Sequence, residues 1–294
     1  MFHVSCFMLN EGIEASMQTF LDRIIKWGEQ EEAVKALILQ GSRAAGIADE
    51  YSDYDLAVFC STYEPYIQEE SWLSNIKDVW VCVHEKVVQN DKVFPTRLVI
   101  FEGGIKADFT FYTMDVLEAL GHKKSLPDEY NRGYLVLLDK ESLAASLPKA
   151  SGKERPANKP SEQEFLRVIK EFWFEVHHVA KYLKREDLWS AKFRSGSIND
   201  HFLLKMIQWH EEARLQWQSR MPPLGKRMHS WVDEDTWKAL HQIFAHFDSK
   251  DSWQALMHTM ELFRNIAIAT SNKLGYNYPH DLDKHITHII MQLA

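Results

Sequence analysis

The sequence predicts an α+β protein in two parts, an N-terminal mixed-sheet domain over residues 1–150 and a C-terminal helical bundle domain over residues 160–294. Three observations carry this reading. Short apolar runs alternate with turn signals through the first half. Residues 146–161, SLPKASGKERPANKPS, are rich in Pro, Ser, Lys and Gly and hold little to bury, the composition of a linker. Beyond them apolar residues recur at helical spacing and no strand pattern competes.

In chain order, residues 1–13 match no periodic template, and Met17 offers an alternative start. Over residues 16–32, Met17, Phe20, Leu21, Ile24, Ile25 and Trp27 follow the spacing of an amphipathic helix. A strand over 34–39 ends at Gly41-Ser42, a short polar helix follows, and a second strand over 56–60 starts directly behind Asp53-Tyr54-Asp55. Residues 63–76 read as loop and helix, and 79–84 as a strand. Runs at 96–101 and 105–112 flank Gly103-Gly104, which suits a two-residue hairpin loop between antiparallel neighbours. A helix over 114–120 and a short strand over 134–138 complete the first half. In the second, helices are expected over 162–185, 197–218, 233–247, 252–273 and 280–293, punctuated by Met221-Pro222-Pro223 and Gly275.

Composition narrows the function. The chain has 294 residues, 45% of them hydrophobic, enough for a substantial core. Three cysteines, Cys6, Cys60 and Cys82, are odd in number and lack metal-ligand spacing, which argues for a reducing compartment and against disulfides or zinc; Cys60 and Cys82 sit in apolar runs that suit a core. No apolar stretch approaches the roughly 20 residues of a membrane span, and residues 1–10 lack the pattern of a signal peptide. A cytoplasmic protein with no membrane partner is expected, in the simplest case a monomer. The net charge of -8 works against nucleic-acid binding and suits a small cationic partner.

The chemistry concentrates in residues 37–60. Asp53 and Asp55, two apart, point to one side of an extended segment, so their carboxylates can share a divalent cation. Gly41 permits a tight turn, and the Ser42 hydroxyl with the neighbouring backbone amides can hold phosphate oxygens. Asp108 interrupts a later strand, sharing a face with Lys106, Thr110 and Tyr112 while Ile105, Ala107, Phe109 and Phe111 pack. Three carboxylates on two neighbouring strands can chelate Mg2+ on a triphosphate, the third completing the coordination or removing a proton from the nucleophile. Asp-x-Asp alone describes many solvated loops; the Gly-Ser turn ten residues upstream and Asp108 make it specific.

Gly-Ser followed by Asp-x-Asp resembles the DNA polymerase β-like nucleotidyltransferases. The longer run GSRAAGIADEYSDYDLAVF, with IKADFT, KPSEQEF, EFW and HFLLKMIQW, is similar to the aminoglycoside 6-adenylyltransferases, also called streptomycin adenylyltransferases, from about Met17 onward. The resemblance implies a nucleotidyltransferase domain that moves AMP from ATP to a hydroxyl of streptomycin with Mg2+. It implies Asp53 and Asp55 as metal ligands, Asp108 as the third carboxylate, and Ser42 and Arg43 near the phosphates.

Further candidates lie beside these. The Arg43 guanidinium can pair with β- or γ-phosphate oxygens, or stand as a surface cation. Lys205, in an otherwise apolar helix, can reach a nucleotide across an interdomain cleft, or be solvated. Glu171 can accept hydrogen bonds from a cationic substrate, with Trp173 as a cation–π surface or as core. The fourteen histidines form no recognisable ligand set. Two rivals remain: the same transfer to another aminoglycoside, a metabolite or a protein side chain, and a catalytically silent nucleotide-binding relative. A nucleic-acid nucleotidyltransferase is disfavoured by charge.

Overall fold

A computed structural model of the chain describes residues 19–89, 91–153 and 156–294. The extension over 1–13, the start of the first helix and Cys6 lie outside the described residues. Two compact units divide at residues 154 and 155.

The first unit is built on a six-stranded sheet in the order β3-β4-β5-β2-β1-β6. A helix over residues 19–30 (α1) leads to β1 (Val34–Gln40), and a single helical turn α2 (Gly41–Ala44) follows. After β2 (Tyr54–Cys60) come α3 (Glu64–Gln68) and a 3-10 turn (Ser71–Asn75). Next in the chain are β3 (Val79–Gln89), β4 (Lys92–Phe101), β5 (Ile105–Thr113), α4 (Met114–Gly121), α5 (Asp128–Asn131) and β6 (Leu135–Asp139). β2 and β5 run parallel, and every other neighbouring pair is antiparallel.

β3 and β4 extend beyond the expected 79–84 and 96–101 because they pair with each other along their whole length. The β4–β5 hairpin closes at Phe101 opposite Ile105, so its loop has three residues, Glu102, Gly103 and Gly104, rather than two. Alternation along the strands makes two cores. Leu37, Leu56, Val58, Phe109 and Phe111 pack with Ile24, Trp27 and Trp72 on one face of the sheet. Ala36, Ile38, Ala57, Phe59 and Tyr112 pack with Leu117, Leu120 and Tyr130 on the other. The Asp108 face is therefore covered at Tyr112, which is buried, and partly open at Lys106, Asp108 and Thr110.

The second unit is helical: α6 (Glu162–Lys184), α7 (Leu188–Ile198), a π-turn (Asn199–Leu203), α8 (Leu204–Arg214), α9 (Glu234–Leu240), α10 (Ser249–Leu274) and α11 (His280–Leu293). Ser161 caps α6 by accepting from the Glu164 amide at 3.2 Å, and Asp187, Asp233 and Asp248 cap α7, α9 and α10 in the same way. The helix expected over 197–218 is the end of α7, the π-turn and α8. The one expected over 233–247 stops at Leu240, where the chain turns back so that Asp248 can cap α10. The described residues hold no helix long and apolar enough to cross a membrane.

Candidate active site

Where β1 ends and β2 begins, pairing brings the acidic residues together. Gln40 lies opposite Asp55 across the antiparallel pair, and Asp55 lies beside Asp108 across the parallel pair, so all three side chains project from one face. Asp53 joins them through Lys106: the Lys106 ammonium donates to Asp53 Oδ2 at 2.6 Å and to Asp108 Oδ2 at 3.0 Å. The structure thus brings together the three aspartates that the sequence singles out. The importance of Lys106 escaped the sequence analysis, although Lys106 is Asp108's neighbour on the same strand face.

Electrostatics follow from this crowding. Burial pushes the Asp108 carboxyl above its usual value, Lys106 pulls it back in part, and the charges of Asp55 and Asp53 add to the rise. Burial opposes the charge on Lys106, but its hydrogen bonds to Asp53 and Asp108 and the charges of both outweigh burial and hold the ammonium above the ordinary lysine value. Among the buried polar atoms of the described residues that lack a hydrogen-bond partner, Asp108 Oδ1 lies at this site. A buried acceptor left open among carboxylates marks a place for a ligand. Oxygen donors clustered around one shared cation also fit a hard divalent metal.

Gly41 is required by the turn. Its φ is +69°, and a Cβ there would stand 1.9 Å from Asp55 Oδ2 and 2.9 Å from Asp55 Cγ. The glycine lets the backbone lie directly against the carboxylate. Ser42 is half-buried in the same turn.

Arg43 departs from the expected place near phosphates. Its Nε donates to the carbonyl oxygens of Ser52 at 3.0 Å and Asp53 at 3.2 Å, a second nitrogen donates to Ser52 O, and the guanidinium lies 4.0 Å from the Tyr54 ring centroid. It holds the loop that delivers Asp53. Trp173 is likewise corrected: it is fully buried, donates from its indole to Tyr278 Oη at 3.2 Å, and already has Arg264 over its ring at 5.3 Å. It presents no surface to a cationic substrate. In the second unit Glu171 is exposed, and the half-buried Lys205 places its ammonium 5.0 Å from the Trp209 ring centroid.

Cys60 is core as expected and Cys82 is half-buried. Burial pushes the Cys60 thiol to about 12 and the Cys82 thiol to about 11, so neither is a thiolate nucleophile at neutral pH.

A mixed sheet that gathers three carboxylates and a glycine turn at one edge of its parallel pair defines a nucleotidyltransferase. A family model described as streptomycin adenylyltransferase matches residues 15–293, and the chain belongs to that family. Two curated relatives are each named aminoglycoside 6-adenylyltransferase. One, from Bacillus subtilis (strain 168), is 26% identical over 283 residues, covering 92% of this chain and 95% of its own. The other, from Staphylococcus aureus, is 26% identical over 279 residues with the same coverage. A crystal structure of an aminoglycoside 6-adenyltransferase from Bacillus subtilis is 22% identical and covers 93% of this chain and 97% of its own, with a TM-score of 0.45.

Proposed function

We propose that the protein transfers AMP from ATP to a hydroxyl of an aminoglycoside such as streptomycin, releasing pyrophosphate. The observation that carries this is the parallel register of Asp55 with Asp108, bridged to Asp53 by Lys106. Family membership, the names of the relatives and the net charge of -8, which suits a polycationic acceptor, support it.

Asp53 and Asp55 would hold Mg2+, with Asp108 beside them. When bound, the ion supplies positive charge to the triphosphate and to the departing pyrophosphate. The chain's own residues do the rest. Asp108, with Oδ2 on Lys106 and Oδ1 open, takes the proton from the acceptor hydroxyl as that oxygen attacks the α-phosphorus and the bond to pyrophosphate breaks. The Gly41-Ser42 turn receives phosphate oxygens, and Arg43 keeps the Asp53 loop in place.

Pyrophosphate release from ATP and Mg2+ against a panel of hydroxylated cations tests the reading. Release that depends on both Mg2+ and an aminoglycoside is expected. Release only with another class of acceptor, or none with any, would overturn it.

Two further results are expected. Gly41→Ala should lower turnover on the order of 100-fold, because the added methyl displaces the Asp55 carboxylate by an ångström or more. Steady-state kinetics beside an unfolding curve would show whether the loss exceeds any loss of stability. Lys106→Met removes the counter-cation of Asp53 and Asp108, so Mg2+ should raise the thermal midpoint of this variant more than that of the wild type. An equal rise in both would mean that Lys106 does not share the site's charge balance.

A further inference from the structure

The opposite face of the same sheet carries a second group of ligating side chains. Cys82 and His84 are two apart on the edge strand β3, so they project to the same side. Pairing fixes which side. His84 lies opposite Arg97, and Arg97 opposite Phe109, a residue of the core on the face away from Asp108. Glu70, just before the 3-10 turn Ser71–Asn75, comes to meet them there: its Oε1 is 2.5 Å from His84 Nε2. One donor atom from each of Glu70, Cys82 and His84 lies within 4.8 Å of the others.

We propose that Glu70, Cys82 and His84 form a binding site for a borderline divalent transition metal of the Zn2+ type, separate from the three-aspartate site. A carboxylate, a thiolate and an imidazole are the mixed donors that Zn2+ takes, and three protein ligands leave a fourth position for water. Sulfur and nitrogen donors select such an ion over Mg2+ and Ca2+, which take oxygen. Coordination displaces the Cys82 thiol proton to solvent and puts the cation between Glu70 and His84. With metal–ligand bonds of about 2.0–2.1 Å in a tetrahedral site, their N and O atoms would sit roughly 3.3 Å apart. The present contact must open by less than one ångström, and the side chains, 53% and 47% exposed, are free to do so. Cysteine spacing alone hides this site, because Glu70 arrives only through the fold.

Among the described residues a second group, His210, Glu211 and Asp233, satisfies the same spacing. Its donors are committed: Asp233 caps α9 through the Thr236 amide and hydroxyl, Glu211 pairs with Arg214 at 2.9 Å, and His210 bonds Thr270. In the Glu70 group the donors instead meet one another, Glu70 reaching both His84 and Cys82, and the approach from the sheet edge is open.

Titration of the chelator-treated full-length protein with Co2+, followed by absorption, tests the proposal. A thiolate-to-cobalt charge-transfer band that saturates at one equivalent and is erased by Zn2+ is expected; the aspartate site, with oxygen donors alone, produces none. Cys82→Ser should abolish the band, and His84→Ala and Glu70→Gln should each weaken Co2+ binding at least about tenfold. In chelator, Cys82→Ser should unfold at the wild-type temperature, and Zn2+ added in the presence of excess Mg2+ should raise the midpoint of the wild type more than that of Cys82→Ser. Absence of the band in the wild type, or a band that survives Cys82→Ser, overturns the assignment. Should Cys82→Ser fold poorly, an unweakened band in His84→Ala would overturn it equally.

Discussion

Asp55→Asn lowers the rate of AMP transfer by at least roughly 10³-fold while the protein stays folded. Charge neutralisation at a transferring phosphoryl group is worth several kcal/mol, and each 1.4 kcal/mol is tenfold in rate. Asp55 is the residue that Gln40 and Asp108 flank in register and against which Gly41 closes, so replacing one oxygen by an amide nitrogen changes the charge of the site with little change in shape. Asp53→Asn should behave in the same way. Steady-state rates at saturating ATP, with circular dichroism as the fold control, check both; turnover within tenfold of wild type would remove these carboxylates from metal binding. Asp108→Asn separates roles differently, since a base is missed less as pH rises, whereas a lost ligand is missed at every pH.

Asp283→Ala is expected to destabilise the helical unit by about 3–5 kcal/mol, the cost of stranding one partner of a buried ion pair. The Arg264 guanidinium on α10 grips the Asp283 carboxylate on α11 with two bonds of 2.6 and 2.7 Å, and donates to Thr287 at 2.8 Å. Tyr278 donates to the same carboxylate at 2.9 Å and accepts from Trp173 on α6, so one network ties three helices. Burial opposes the Asp283 charge, but the hydrogen bonds from Arg264, Thr287 and Tyr278 outweigh it and hold the carboxyl below its usual value. A folded-state value below the unfolded one gives stability that is present above the unfolded value, near 4, and is lost as pH falls through the folded value. The gap between wild type and Asp283→Asn in urea midpoint should be wide at neutral pH and shrink in acid. A gap independent of pH would mean the carboxylate is not the charge that matters.

Much of the site was legible because its parts are local. A glycine turn after a strand and Asp-x-Asp before the next are patterns within residues 41–55, and Asp108 stands out inside an apolar strand. Their assembly was less legible. The parallel pairing of β2 with β5 skips two strands, so nothing local announces that Asp55 and Asp108 are neighbours. Arg43 was read from its distance along the chain to Ser42, yet its long side chain turns toward the Ser52 and Asp53 carbonyls and the Tyr54 ring. Trp173 shows the limit of periodicity, since Phe172 beside it is equally buried and spacing does not separate core from surface. α7 escaped because Gly196 and the serines of residues 188–198 are poor helix formers, held helical by packing of Ala191 and Ile198 in the core. Glu70 reaches Cys82 and His84 only because β3 is the strand at the sheet's edge.

Mass measurement of streptomycin after incubation with the protein, ATP and Mg2+ tests the central claim most directly. A gain of one adenylyl group is predicted, absent when Mg2+ is chelated and absent with Asp55→Asn. Unmodified streptomycin with the folded wild-type protein, or an adduct that Asp55→Asn still forms at the wild-type rate, would contradict the account.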